Sequence, residues 1–424
     1  MRHLIIKNIG PLTDIDIEVN SVNMIIGPQS SGKSTIAKIL SFCLWLEKDI
    51  IAHQDKEYVN ASFIQEQLLD YHKINHYLND GAFISYHGEY ITFRFAGVND
   101  YSVELTERFS ESKVGKVAYI PSERNLAAIP NVTSLALPKY YVRDYLFDWF
   151  HFHSKFEVTN KVPILDLGVS YYYDDERNID IVQLGNGKEL EINEVSSGLQ
   201  SLIPLFVSLQ YVTKWVFEHK EDISFDKNSV LSKALIRALS PDIDSKHIEE
   251  ALTLPKLVTQ LQETLKAIID NRIPGEIKPE FENISKLNER IERPHYFSLI
   301  VEEPEQNLFP GTQVTLVYEM LKMLTREEDI LLMTTHSPYT LYALNNCMLG
   351  HKVKDKIEED EKAFMMSRDS WIDGDRVSIW QFTKQGTLKS LKDSPAGLIG
   401  KHYFNDVMND TLNEYHAMID YLEL

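Results

Sequence analysis

Eight residues constrain this chain more than any others. Gly27-Pro28-Gln29-Ser30-Ser31-Gly32-Lys33-Ser34 matches the spacing G-x-x-x-x-G-K-[ST] at every fixed position. An apolar stretch, Asn23-Met24-Ile25-Ile26, precedes it. Ile36, Ile39, Leu40, Cys43 and Leu44 follow at helical spacing. A strand, a glycine loop and a helix N-terminus in that order make a cradle for phosphate. Glycines let the backbone wrap closely, and the first turn of the helix offers free N–H groups and a partial positive charge. Lys33 is expected to reach the β- and γ-phosphates of a nucleotide, with the Ser34 hydroxyl on Mg²⁺ and Thr35 completing the loop.

A loop of this kind needs acids and a partner strand. Ser298-Leu299-Ile300-Val301 is an apolar strand that ends in Glu302-Glu303-Pro304-Glu305. In phosphoryl transfer one acid holds Mg²⁺ and another positions or deprotonates the attacking water. Glu302 is assigned to the metal and Glu303 to the base. Successive strand residues point to opposite faces, so the backbone must turn at the strand end for both to reach one site. A second apolar strand, Ile330 to Thr335, ends in His336-Ser337-Pro338, and His336 is expected beside the γ-phosphate or the water. Val195-Ser196-Ser197-Gly198-Leu199-Gln200 opens an apolar helix running to about Phe217. A Ser-Gly pair at such a position caps a helix and can also bind an anion.

The remaining pattern is organised round these motifs. Residues 1–27 read as three strands, with Ile15, Ile17 and Val19 alternating with acids. Residues 55–80 read as helix, and 83–107 and 163–193 as strands. Val117 to Ile120 reads as a buried strand. Segment 218–292 mixes Lys and Glu with spaced Leu and Ile, punctuated by Pro241, Pro255, Pro274 and Pro279, and reads as a helical insertion of several short helices. The chain closes in an amphipathic helix, about 403–423. The expected division is 1–217 and 293–350 as two parts of one α/β head, 218–292 as the insertion, and 351–424 as a C-terminal extension.

Composition excludes some classes. Lys and Arg number 43 against 63 Asp and Glu, a net charge of −20. A protein that coats duplex DNA draws most of its affinity from basic groups on phosphate, so nucleic acid could be met at a local site but not through a broad basic surface. No apolar run approaches the ~20 residues of a membrane span, and no membrane partner is expected. Cys43 and Cys347 are too few for a disulfide framework, which with the absence of a signal-like start suggests a cytoplasmic location. His151 and His153 form an H-x-H pair among aromatics, and Asp373-Gly374-Asp375 a D-x-D. Both read as structural, the first as packing and the second as a turn.

The four motifs, which run along the chain as phosphate loop, Ser-Gly helix start, acidic strand end and histidine turn, resemble the ABC-type ATPase head in its SMC/RecF-like branch. Tyr119-Ile120-Pro121-Ser122-Glu123-Arg124, Ser196-Ser197-Gly198-Leu199-Gln200, Glu302-Glu303-Pro304-Glu305 and Thr334-Thr335-His336-Ser337-Pro338 are similar more narrowly to the OLD-family ATPases. Their relatives include ATPase subunits of bacterial anti-phage systems of the Septu and PARIS type. The resemblance implies a P-loop NTPase fold, an ABC/SMC-like head with an N-terminal antiparallel β-subdomain, that binds and hydrolyses ATP with Mg²⁺. It implies two heads sandwiching ATP, so that Ser196, Ser197, Gly198 and Gln200 act in trans on the nucleotide of a second copy. It also implies a separate effector, a nuclease or toxin, because too little chain follows Gly350 for a Toprim domain. There are three departures. Glu302 stands where the metal-side acid is more commonly Asp. Leu199 replaces the second glycine of the usual signature, and no Q-loop glutamine is evident, leaving Glu123 or Arg124 as its equivalent. A RecF/SMC-like repair or chromosome-maintenance ATPase shares the same head, and so does an ATP-bound scaffold with little hydrolysis.

Overall fold

The computed structural model describes residues 2–130, 132, 137–219, 225–240, 243, 245–252, 254–269, 279–292, 294–392, 394, 396–419 and 421. Its centre is a six-stranded sheet. The spatial order is Leu388–Ser390, Val377–Phe382, Val22–Ile26, Ile330–Thr335, Tyr296–Glu302 and Gly115–Ile120. All neighbours run parallel except the antiparallel edge strand Leu388–Ser390. A parallel sheet is buried on both faces, and these strands show it. Met24, Ile26, Leu299, Val301, Leu331 and Met333 enter one core. Ile25, Ile300, Ile330 and Leu332 enter the other. The near-continuous apolar runs in the sequence are the signature of that double burial.

One core is roofed by the helix Lys33–His53 and by a second, antiparallel sheet, in the order Leu12–Val19, Arg2–Ile9, Leu78–His87, Ile91–Gly97 and Asp100–Leu105. Buried Glu47 on the helix pins that roof. It accepts from the Tyr86 hydroxyl (3.0 Å) and the Tyr90 backbone N–H (2.7 Å), and Arg2 Nε lies 3.5 Å away. The other core takes the helices Tyr141–His153, Ser197–Gln210, Pro310–Lys322 and Pro338–Val353, with Trp149 fully buried among them. A small four-stranded antiparallel sheet, Val162–Pro163 to Glu189–Glu191, lies on that side.

The insertion forms four helices, Phe225–Leu239, Ser245–Leu252, Pro255–Ile269 and Pro279–Glu292. Leu231, Leu235, Leu261, Leu265 and Ile284 build its own core, which closes on Ala52 near the end of Lys33–His53. The periodic Leu and Ile of this segment are thus core residues of a bundle seated on the loop helix. Pro241 and Pro274 lie outside the described residues.

Two expectations need correction. Residues 55–80 are not one helix. Ala61–Ile64 continues as a wide π turn over Gln65–Asp70, and a strand begins at Leu78. The segment 351–424 is not wholly outside the head either. Val377–Phe382 pairs directly with Val22–Ile26, from Val377↔Val22 to Gln381↔Ile26, so a strand from the last 50 residues flanks the glycine loop.

Candidate functional site

The glycine loop leaves the sheet between Phe382 and the edge of the antiparallel roof. A Cβ on Gly27 would lie 2.9 Å from Phe382 Cβ. Gly32 sits at φ +105°, where a Cβ would clash with Leu12 Cδ2, so both the conformation and the space demand glycine. Ser30 also takes a left-handed φ of 58°, and Pro28, Gln29 and Ser30 are exposed at the tip. The Lys33 ammonium folds along the loop and donates to the Gly27 (2.9 Å) and Pro28 (2.8 Å) carbonyls. Burial pushes its pKa down to about 8, against the pull of Glu303, Glu305 and Glu302. Thr35 is buried under the loop.

Those three carboxylates come from the end of one strand. Glu302 closes Tyr296–Glu302 and is almost fully buried. Burial pushes its carboxyl above the usual range; hydrogen bonds from Tyr119 and Ser34 and the charge of Lys38 hold it back. The Tyr119 hydroxyl donates at 2.6 Å. Glu303 follows at φ 44°, a left-handed conformation uncommon outside glycine. This is the turn that brings two sequential acids toward one site. Its N–H donates to the Thr334 carbonyl at 2.9 Å, and its carboxylate lies 3.5 Å from His336 Nε2. His336 has its pKa lowered by burial and by Lys33, with Glu303 opposing. Lys33, Ser34, Glu302, Glu303 and His336 are thus one cluster at the C-terminal ends of adjacent parallel strands.

Two members, Glu305 and Tyr119, were given no role from the sequence, and Arg124 takes a different one from the Q-loop role expected of it. Glu305 Oε1 accepts the His336 backbone N–H at 2.6 Å and ties the histidine loop to the acidic turn. Tyr119, at the end of its own strand, supports Glu302. Arg124 is fully buried and does not reach into the open site as a Q-loop residue would. Its guanidinium donates to four backbone carbonyls: Glu302 (2.8 Å), Glu303 (2.7 Å), Ser201 (3.2 Å) and Pro121 (3.3 Å). It clamps the acidic strand end to the helix Ser197–Gln210. Glu123 stays at the edge of the site, accepting from the Tyr141 hydroxyl at 3.2 Å.

The Ser-Gly motif heads that helix. Ser196 caps it, its hydroxyl accepting from the Leu199 N–H at 3.5 Å. The Gln200 amide donates to the Asn193 (3.0 Å) and Val195 (2.9 Å) carbonyls, so it braces its own loop. Gly198 abuts the acidic turn: a Cβ there would lie 2.9 Å from the Asn307 carbonyl oxygen. Ser196 to Gln200 therefore connect to the carboxylates through Asn307 and Arg124.

The donor set can be tested for a divalent cation. Among the described residues no group of three or more His, Cys, Asp or Glu side chains is placed to hold a metal. Mg²⁺ does not need one. It takes one or two protein oxygens and completes its shell with water and substrate phosphates, and the adjoining Ser34 hydroxyl and Glu302 carboxylate are of that type. The other two candidate motifs are engaged structurally. His151 Nε2 lies 3.0 Å from the Tyr211 hydroxyl, and His153 Nδ1 lies 2.8 Å from Asp180. Asp373 caps the short turn Gly374–Arg376, accepting from the Asp375 N–H at 3.0 Å.

Residues 3–292 match the model of the AAA_23 family, described as an AAA domain. The chain belongs to that family of AAA domains. With the parallel sheet and glycine loop above, this AAA domain has an α/β P-loop NTPase fold. Among curated proteins it has no match. Solved structures similar to it include the SMC head domain from Thermotoga maritima (10% identical, covering 81% of this chain and 92% of that one, TM-score 0.32). Others are the SMC head bound to the C-winged helix domain of ScpA (10%, 92% and 95%, TM-score 0.39) and the recombination mediator protein RecF-ATPrS (11%, 92% and 97%, TM-score 0.30).

Proposed function

We propose that this chain binds ATP with Mg²⁺ and hydrolyses it in sites closed by a second head. The convergence of Lys33, Ser34, Glu302, Glu303 and His336 at one end of the parallel sheet supports this reading. In it the loop N–H groups and Lys33 hold the β- and γ-phosphates. Ser34 and Glu302 would hold Mg²⁺, which would supply positive charge against the phosphate oxygens. Glu303 orients the water and accepts its proton as oxygen attacks the γ-phosphorus; ADP departs with the electrons of the broken P–O bond. His336, largely neutral near pH 7 by its lowered pKa, can hydrogen-bond Glu303 or a γ-phosphate oxygen. Ser197 and Gly198 serve the partner's nucleotide.

Two variants test this. Lys33→Ala should lose ATP turnover, and unchanged turnover sinks the assignment. Glu303→Gln should retain ATP, hydrolyse it at least a hundredfold more slowly, and accumulate as the closed dimer. Wild-type turnover there would remove Glu303 from the base role.

On the resemblance to OLD-type relatives, the finer reading is a sensor or regulatory ATPase subunit of a bacterial anti-phage system that controls a nuclease or toxin in trans. Isolation of Glu303→Gln with ATP from its native host is the test. A co-purifying nuclease or toxin supports this role. Recovery of DNA alone, released steeply by salt, favours the RecF/SMC-like alternative. Among the described residues no helix is long and apolar enough to cross a membrane.

A further inference from the structure

The C-terminal helix Tyr403–Ile419 holds no buried residue. Tyr403 and Phe404 rest against the main core, and the Tyr403 N–H donates to Gln381 at 2.9 Å. From Asp406 onward every described residue is exposed. Fourteen residues, about 20 Å at 1.5 Å per residue, therefore project from the head.

Two features mark this helix as an incomplete structure. Its intrinsic propensity is poor, with Asn405, Asn409, Thr411 and Asn413 in one short run. Helices of this length are marginal in water unless an apolar face is covered. The face is present. Val407, Met408, Leu412, Tyr415, Met418 and Ile419 are each between 38% and 59% exposed. Met408, Leu412, Tyr415 and Ile419 follow a 4-3-4 spacing, the seam of a helix pair rather than a scatter of surface residues.

The charges say what covers it. Asp406 and Asp410 fall on the side opposite the stripe, and Asn405, Asn409 and His416 form one flank; only Glu414 borders the other. No Lys or Arg follows Lys401, which is itself paired with Asp406 at 2.7 Å. A basic partner would find little acid beside the seam. A second copy meets apolar and neutral residues, while the acids of a −20 chain turn away. We infer that this helix pairs with the same helix of a second copy, joining two heads without nucleotide. The inference is independent of the ATPase reading, because it uses neither the glycine loop nor the signature.

The test is sedimentation velocity and light scattering on the full chain without nucleotide at about 10 µM. The wild-type protein and Lys33→Ala should both be dimers. The double variant Leu412→Asp/Tyr415→Asp should be monomeric, with the thermal unfolding of the head unchanged since both side chains are exposed. Leu412→Cys should crosslink to a dimer with diamide, against a low background because Cys43 and Cys347 are buried. A monomeric wild type, a dimer indifferent to the double substitution, or an apolar face that binds phosphatidylcholine vesicles in place of a second copy would each overturn the inference. ATP turnover measured on the same samples reports separately on the loop.

Discussion

Arg124 is the side chain on which the site depends most for its shape. Its guanidinium is wholly buried and donates four hydrogen bonds at 2.7–3.3 Å to carbonyls from three separate segments. Arg124→Met keeps much of the volume and removes every donor. Hydrogen bonds to a charged group contribute about 1.5–3 kcal/mol each. They are not additive around one side chain, and each buried carbonyl left without a donor costs about 1–3 kcal/mol. The expected loss is therefore about 4 kcal/mol, a large share of the 5–15 kcal/mol typical of a folded domain. Urea unfolding reads it as a lower midpoint at constant slope. Arg124→Lys should recover only part, since an ammonium cannot span Glu302, Glu303 and Ser201 with one planar fork. Turnover should fall further than ATP binding in both variants, because the clamp joins the acidic turn to the signature helix and leaves Lys33 untouched. A loss below about 1 kcal/mol, or full recovery with lysine, would refute the clamp.

Other outcomes can be checked directly. His72 is buried beside Lys38, and burial first, then that charge, lowers its pKa from 6.5 to about 3. The folded imidazole stays neutral while the unfolded one protonates, so its contribution is intact above pH 6.5 and lost as pH falls toward 3. At pH 5 this is roughly 2 kcal/mol; His72→Leu should flatten stability between pH 7.5 and 5 by about that amount, and an unchanged slope contradicts it. Gly32→Ala should abolish ATP binding measured calorimetrically and cost about 1–3 kcal/mol through backbone strain, before the clash with Leu12 is counted. Tyr119→Phe removes a donor from buried Glu302 and should raise that carboxyl further; the acid limb of the pH–rate profile should then move to higher pH, and a fixed limb would show Tyr119 to be packing only.

The glycine loop, the strands 297–301 and 330–335 and the insertion were legible because each rests on local pattern. A fixed spacing, an unbroken apolar run and a 3.6-residue period need no knowledge of distant partners. Val377–Phe382 was missed for the complementary reason. Ser378 and Gln381 break its apolar run, and their polarity is met by Asn20 (2.9 Å) and the Tyr403 N–H (2.9 Å). Arg124 illustrates the same limit inside the site. A Ser-Glu-Arg run after a strand is compatible with an exposed catalytic edge, and only carbonyls 77, 178 and 179 residues away reveal a buried clamp. The left-handed turn at Glu303 was implied by the chemistry, since two adjacent acids cannot otherwise face one phosphate.

The strand Val377–Phe382 also orders events during synthesis. Val22–Ile26 emerges from the ribosome early, yet both its sheet neighbours lie more than 300 residues downstream. Closing contacts of that separation is slow. Until Phe382 arrives beside Gly27, the strand below the loop has one side open, so the loop is completed only after residue 382 has been made. A nascent chain stalled before that strand would carry the full motif without the wall that shapes it.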